Sequence, residues 1–246
     1  MLARTLAGIA AKLPSSVKYK IGKLKPLYTR AMQLGQSTTI VETSVGQFQW
    51  QIDAITSQEF LRGTYEPYMQ DAFLKYALPG NTIFDVGAHA GFHSLFCGLL
   101  VGTAGRVFAF EPNPVSRDSL ERQIRLNPTL RVEVFPYALS DTVGLADFDA
   151  TRGSQSRITL TGKSKVEMRT LDSLVPVTIP TPDVIKIDVE GEEEKVLRGS
   201  RKTLSKFRPI VLCDYNDDQT LAALSRILLP LAYEVLPGPP VIGIPR

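Results

Sequence analysis

Residues 82–94 read TIFDVGAHAGFHS. A short apolar run that climbs to Asp85 and stops at Gly87 reads as a buried strand entering a tight turn. Apolar residues resume at once in GFHSLFCGLLV (91–101), a helix that ends near Gly102. The strand-turn-helix texture then repeats. GRVFAFEP (105–112) is a second strand, PVSRDSLERQIRLN (114–127) a polar-faced helix closed by Asn127-Pro128, and RVEVFPYAL (131–139) a third strand. DVIKIDVEG (183–191) is a fourth strand followed by the helix EEEKVLRGSRKTL, and RPIVLCDYN (208–216) a fifth followed by DQTLAALSRILL. The tail AYEVLPGPPVIGIP suits two closing strands. Strands alternating with helices at short spacing predict an α/β fold: a doubly wound, mostly parallel, seven-stranded sheet covered on both faces.

Upstream, TTIVETSVGQFQWQI (38–52) alternates apolar and polar residues around a Val45-Gly46 turn and reads as a hairpin. EPYMQDAFLKYAL (66–78) has helical spacing and stops at Pro79-Gly80. Residues 1–35 read as basic and helical. The chain therefore divides into an N-terminal helical and hairpin extension, 1–60, and a main domain, 61–246. The stretch from about 142 to 170 reads as a hairpin and loop.

Apolar residues make up 43% of the chain and charged residues 22%, an ordinary globular balance. A net charge of +3 gives no argument for nucleic acid. The charge is uneven, however. No acid precedes Glu42, whereas Arg4, Lys12, Lys18, Lys20, Lys23, Lys25 and Arg30 all do. That segment offers a route to an anionic membrane surface; the plainer reading is a helix that packs on the sheet or mediates a homodimer. MLARTLAGIAAKLP lacks a signal-peptide core, and no run approaches the length of a membrane span. Cys97 and Cys213 lie in apolar runs and read as buried free thiols, which fits a cytoplasmic protein.

Ligands of doubly wound sheets sit at the carboxyl ends of the strands. Here those ends carry Asp85, Glu111, Asp188 with Glu190, and Asp214 with Asn216. Gly87 and Gly91 give a glycine turn that lets a ligand approach the backbone. An acid at the end of the second strand, Glu111, suits ribose hydroxyls. Together they indicate an adenosine-bearing ligand. A dinucleotide would want G-x-G-x-x-G, but position 89 is histidine, and a carboxylate at Asp85 would repel pyrophosphate. The charge suits instead a sulfonium or ammonium, as in S-adenosylmethionine. His89 and His93 have the i, i+4 spacing of helical zinc ligands, but Gly91 lies between them and no glutamate stands at position 90.

TIFDVGAHAGFHSL, GRVFAFEPNP, ALSD, RTLDSL and DVIKIDVEGEEEKVLRGSRKTL, with YEPYMQDAFLKYALPGNTIFDVG upstream, resemble the FkbM family of S-adenosylmethionine-dependent methyltransferases over about residues 60 to 215. The resemblance implies a Rossmann-like class I methyltransferase fold. It also implies O-methylation of a hydroxyl on a sugar or natural product, with a small-molecule or glycan acceptor. By position, Asp85, Gly87 and Gly91 match the cofactor loop, Glu111 the ribose acid, Ser140-Asp141 the segment near the adenine edge, and Lys186, Asp188, Glu190 and Gly191 the fourth-strand block. Glu66, Ala88, His89, Ser94, Pro112 and Asn113 complete the expected cofactor-facing set. Ser154 and Ser156 match a serine-bearing loop over the site. Tyr137 departs from the asparagine common before ALSD, and LCDYN departs from a usual glutamate, with Asp214 retaining the charge.

Methyl transfer to a hydroxyl needs alignment in a dry site and a positioned general base. Asp188, Glu190, Asp214, His93 and His89 are the candidates, and Asp188 serves equally well as a cofactor-positioning acid. Three alternatives stand beside this reading. Asp188, Asp214 and Asn216 are oxygen ligands that would suit Mg²⁺ in a catechol-type enzyme; no metal is expected. An NAD-dependent oxidoreductase and a noncatalytic membrane- or partner-docking protein are the other two.

Overall fold

The structure, a computed structural model, describes residues 37–149, 157–159, 164–215 and 218–246. The expected N-terminal basic helix, Ser154, Ser156 and Asn216 lie outside them.

Seven strands form the main sheet: β3 (Thr82–Val86), β4 (Arg106–Phe110), β5 (Val132–Phe135), β10 (Val184–Ile187), β11 (Ile210–Cys213), β12 (Tyr233–Leu236) and β13 (Val241–Pro245). Their order is β12-β13-β11-β10-β3-β4-β5. The strands from β11 to β5 run parallel, and β13 is antiparallel to both β11 and β12. The chain winds outward from β3 through β4 to β5, then returns to lay β10 on the other side of β3. The β3/β10 boundary is thus the topological switch point, where such sheets open a crevice for ligands.

Alternation along the strands assigns the two faces. Ile83, Val107, Val184 and Leu212 pack with Met69 and Phe73 of helix α2 (Pro67–Tyr76) and with Phe96 and Cys97 of α3 (Phe92–Val101). Ala109 packs with Leu120 of α4 (Pro114–Leu126). Phe84, Phe108, Ile185 and Val211 face the other way. They meet α5 (Leu171–Leu174), α6 (Glu193–Arg198), α7 (Arg201–Phe207) and α8 (Asp218–Leu228). Helices on both faces explain why the central strands are apolar on both sides rather than alternating. Helix α4 begins where its sequence directs: Pro114 takes the first turn, and the Asn113 side chain accepts from the Val115 N–H.

Three expectations need correction. RVEVFPYAL is not one strand. Pro136 has no N–H to continue the ladder, so β5 ends at Phe135, and β6 (Tyr137–Leu139) joins a second sheet. That sheet, ordered β6-β9-β7-β8, contains β7 (Gly144–Asp149), β8 (Arg157–Thr159) and β9 (Ser164–Arg169), where a hairpin and loop were expected. EEEKVLRGSRKTL is likewise two helices. At Gly199 between them, a Cβ would lie 2.0 Å from the Ser140 carbonyl oxygen, so the break seats this connection against the end of β6.

The hairpin of β1 (Thr38–Thr43) and β2 (Gly46–Gln51) docks on the main domain. Val41, Phe48 and Trp50 share a core with Phe92 and Leu95 of α3 and with Phe60 of α1 (Gln58–Arg62), a helix that spans the 60/61 boundary. The outer backbone of β2 is met by amide side chains of α4. Gln123 accepts from Gln51 N–H at 2.7 Å and donates to its carbonyl at 3.0 Å, and Asn127 does the same for Gln49 at 2.8 Å each. An edge strand is in this way satisfied by a helix. Gln123→Leu should leave the Gln51 groups unmatched and cost about 1–3 kcal/mol in urea unfolding; a loss below measurement would show that water replaces the amide.

Among the described residues, no helix is long and apolar enough to cross a membrane. Cys97 and Cys213 are free and buried, and burial raises both thiols well above their ordinary pKa.

Candidate active site

A cleft of about 280 Å³ opens at the carboxyl ends of β3, β4, β10 and β11. Sheet order fixes its layout. Glu111 stands just past β4, Gly87 past β3, Asp188 past β10 and Asp214 past β11, while Tyr65 and Glu66 enter ahead of α2. The second sheet adds a side wall through Tyr137, Ala138, Leu139, Phe148 and Ile158. The wall carries six carboxylates, those of Glu66, Glu111, Asp188, Glu190, Glu192 and Asp214, and no lysine or arginine among its described lining residues.

The first buried layer beneath this wall holds the answering charge. Lys186, 2% exposed, lies 3.1 Å from Asp85 and 3.4 Å from Asp188, and donates to the Gly87 carbonyl at 2.8 Å. Both Asp85 and Lys186 point from the sheet toward α3, where the Ser94 hydroxyl donates to Asp85 at 2.6 Å. Burial alone would raise Asp85 and lower Lys186. Their attraction overcomes it, holding the carboxyl below and the ammonium above their usual ranges. Asp85 and Ser94 therefore do not line the cleft, and the expected contact between Asp85 and a cationic ligand group does not match this geometry. Among the acids that line the cleft itself are Glu66, Asp188 and Asp214.

Gly87 is also recast. Its φ is +82°, and a Cβ there would sit 1.8 Å from the Asp188 carbonyl oxygen. The close approach that requires glycine is made by the chain leaving β10, beside which β3 ends. Gly91, the residue before α3, faces the Leu120 side chain at 2.3 Å and, unlike Gly87, lies away from the cleft. Ala88 and His93 line a small recess next to the cleft, which His89 and Asp188 share.

Glu111 is buried, and both its oxygens are engaged: Oε2 accepts from His89 N–H and Oε1 from Asn113 N–H, each at 2.7 Å. Burial raises its carboxyl to about 7 against the pull of those two N–H groups. Asn113 thus acts on Glu111 and on the start of α4. Ser140 and Asp141 lie along a second, open cleft with Asp147 and Met168, because β6 continues its pairing with β9 through Ser140 N–H. Their neighbours Ala138 and Leu139 face the main cleft instead.

His89 and His93 are lowered by burial, to about 4 and about 3, so both are neutral near pH 7. The 3.7 Å approach of His93 Nδ1 to Glu66 Oε2 is therefore a contact of a neutral ring. His93 lies in the first turn of α3, whereas His89 lies in the turn before it with φ +48°. Among the described residues, no group of three or more His, Cys, Asp or Glu is disposed to hold a metal ion. Glu66 and Glu190 share the left-handed backbone of His89, at φ +44° and +57°. Such strain gathers where a fold over-determines a site.

Sequence reasoning missed three features. Tyr65 enters the cleft and lies within hydrogen-bonding reach of Glu66, and Tyr68 does the same for Asp214. Phe148 and Ile158 come from the stretch expected to be a hairpin and loop. A tyrosine pair flanking the Glu66-Pro67 step was the available signal for the first two.

The profile of the Methyltransferase FkbM domain matches residues 85–230. The hexuronic acid methyltransferase AglP of Haloferax volcanii is 31% identical over 144 residues, 56% of this chain and 58% of its own. The 2-O-methyltransferase NoeI of Sinorhizobium fredii is 26% identical over 163 residues, 57% of this chain and 65% of its own. The match thus spans less than two thirds of either relative. The crystal structure of Methyltransferase FkbM from Methylobacillus flagellatus superposes with a TM-score of 0.52 at 17% identity, over 76% of this chain and 55% of that one. An S-adenosylmethionine-dependent O-methyltransferase from Thermotoga maritima gives a TM-score of 0.50 at 13% identity, over 88% and 82%. These two likenesses show the fold.

Proposed function

The chain belongs to the FkbM methyltransferase domain family, and from that premise we propose that it moves a methyl group from S-adenosylmethionine to a hydroxyl of a sugar. The observation that carries this reading is the cleft wall, with its six carboxylates and no described cation. Such a wall disfavours the pyrophosphate of a dinucleotide and favours a ligand with ammonium and sulfonium groups. The names of the two relatives, a hexuronic acid methyltransferase and a 2-O-methyltransferase, support a sugar as acceptor.

The residues present fit the methyl donor. Phe110, Pro112, Tyr137, Ala138 and Leu139 offer an apolar and aromatic wall beside Glu111, whose engaged oxygens each keep a lone pair for ribose hydroxyls. Asp188 and Asp214 gather at the other end and would face its cationic groups. When bound, the donor supplies an activated methyl carbon and a neutral leaving sulfide. The chain's own part is to hold the acceptor hydroxyl in line, exclude water and take its proton. Asp188, Asp214 and Glu190 stand where an acceptor hydroxyl would enter. Glu192, at the mouth, pairs with Lys195 at 2.8 Å. We place the main domain at 61–246 with the hairpin docked on it, in a soluble cytoplasmic protein, and expect no metal requirement.

The test is calorimetry with S-adenosylmethionine, S-adenosylhomocysteine and NAD, followed by a mass-spectrometric screen of neutral and acidic glycosides for a gain of one methyl group. Binding of NAD alone would refute the reading. Glu111→Ala should weaken S-adenosylhomocysteine by about 1.5–3 kcal/mol, the worth of a charge-assisted hydrogen bond. Unchanged affinity would move the ribose contact elsewhere.

A further inference from the structure

We propose that Glu66, rather than the strand-end acids Asp188 and Asp214, takes the proton from the acceptor hydroxyl. The proposal rests on the methyl-transfer reading above and adds a role to one residue of that site.

The geometry separates Glu66 from the other acids of the wall. It occupies the residue before α2, but its side chain makes no capping bond to the helix. Its backbone is left-handed ahead of Pro67, and the residue lines the cleft instead. Oε2 is buried and has no hydrogen-bond donor. It lies 3.7 Å from Nδ1 of the neutral His93 ring, from α3. By contrast, both oxygens of Glu111 are taken by backbone N–H groups, and Asp188 is drawn to Lys186 at 3.4 Å. Asp214 lies within reach of the Tyr68 hydroxyl and the Tyr215 N–H. A carboxylate that lines the cleft and makes no capping bond, with a tyrosine hydroxyl to orient it, is what a general base requires.

The groups facing Glu66 come from every element around it: Tyr65 from its own segment, Tyr68 from α2, His93 from α3, Lys186 and Asp188 from β10 and its end, and Asp214 from the end of β11. Burial raises the carboxyl to about 7; Lys186 and the Tyr65 hydroxyl pull it down, and Asp188 and Asp214 push it up. A base balanced near neutral pH matches both its ionised fraction and its proton affinity to the task. In the reaction, the acceptor O–H bond breaks and its proton moves to the cleft-lining carboxylate of Glu66. The acceptor oxygen uses the freed pair to bond the methyl carbon. The carbon–sulfur bond breaks with its pair retained on sulfur, leaving a neutral thioether. Glu66 returns its proton to water.

Carboxyl-¹³C NMR of the free protein tests the idea without turnover. Two glutamate signals should titrate near pH 7, and one of them should vanish in Glu66→Gln and persist in Glu111→Gln. With labelled S-adenosylmethionine and the glycoside panel, Glu66→Gln should lower kcat by about 10²-fold and abolish the acid limb near pH 7, while S-adenosylhomocysteine affinity stays within about threefold of wild type. Glu66→Asp should recover part of kcat. Titration of Glu66 in the ordinary carboxylate range, retained kcat in Glu66→Gln, or a loss of kcat matched by loss of affinity would each overturn the assignment. Failure of wild type to bind S-adenosylhomocysteine would instead refute the methyl-transfer reading itself.

Discussion

Lys186→Met should destabilise the protein by about 3–5 kcal/mol, the cost of leaving a buried charge without its partner. Asp85 is fully buried, and Lys186 is the cation that holds its carboxyl below the usual range. The pH dependence provides the sharper check. In wild type, the depressed Asp85 contributes stability that is present above the unfolded carboxylate pKa and lost as pH falls through the lower folded value. The raised Lys186 contributes stability present below its unfolded pKa and lost as pH rises through the higher folded value. The pair therefore stabilises the protein throughout the neutral range. In Lys186→Met, the Asp85 carboxyl is raised above its unfolded value, so the sign reverses: urea midpoints should increase as pH falls from 7 toward 5. Adding Asp85→Asn should recover much of the loss, because an amide keeps a partner for Ser94 without the charge. A Lys186→Met variant with wild-type stability and wild-type pH dependence would show that the ion pair is dispensable.

Gly87→Ala is expected to reduce turnover by at least about 10²-fold, as misplacement of a catalytic framework by an ångström does. The added Cβ meets a backbone oxygen, that of Asp188, at 1.8 Å, and the φ of +82° is one that alanine adopts only under strain. No side chain can rotate away to relieve this contact. The ends of β3 and β10 must separate, and with them Glu111's partner His89 and the Asp188 carboxylate. Strain of this kind costs on the order of 1–3 kcal/mol beyond the clash, so thermal unfolding and S-adenosylhomocysteine calorimetry should be measured together. Full activity with an unchanged unfolding midpoint would mean that the strand ends yield without consequence. Gly144, with nothing within 4 Å of an added Cβ, is the control at which alanine should be tolerated.

Much of this molecule is dictated locally. The alternation of TIFDV, RVFAF, VIKI and IVLC with amphipathic helices leaves few ways to bury both faces of so many apolar strands, and the doubly wound sheet is one. Strand ends are legible for the same reason: each apolar run stops where a charged or glycine residue must leave the sheet, which puts Gly87, Glu111, Asp188 and Asp214 at one edge. What required the tertiary structure was the direction of side chains and the company they keep. Asp85 and Asp188 sit at equivalent-looking ends in the sequence. A period of two turns Asp85 down toward α3 and Lys186, whereas Asp188, one residue beyond its strand, reaches the cleft. Pro136 carries a local stop signal, but only packing shows that the chain then crosses into a second sheet and supplies the cleft with Tyr137, Phe148 and Ile158. Glu66 is the furthest case. Its distance in sequence from Asp188 and Asp214 conceals that a left-handed step before Pro67 brings the three carboxylates together, and their electrostatic coupling exists only in the folded chain.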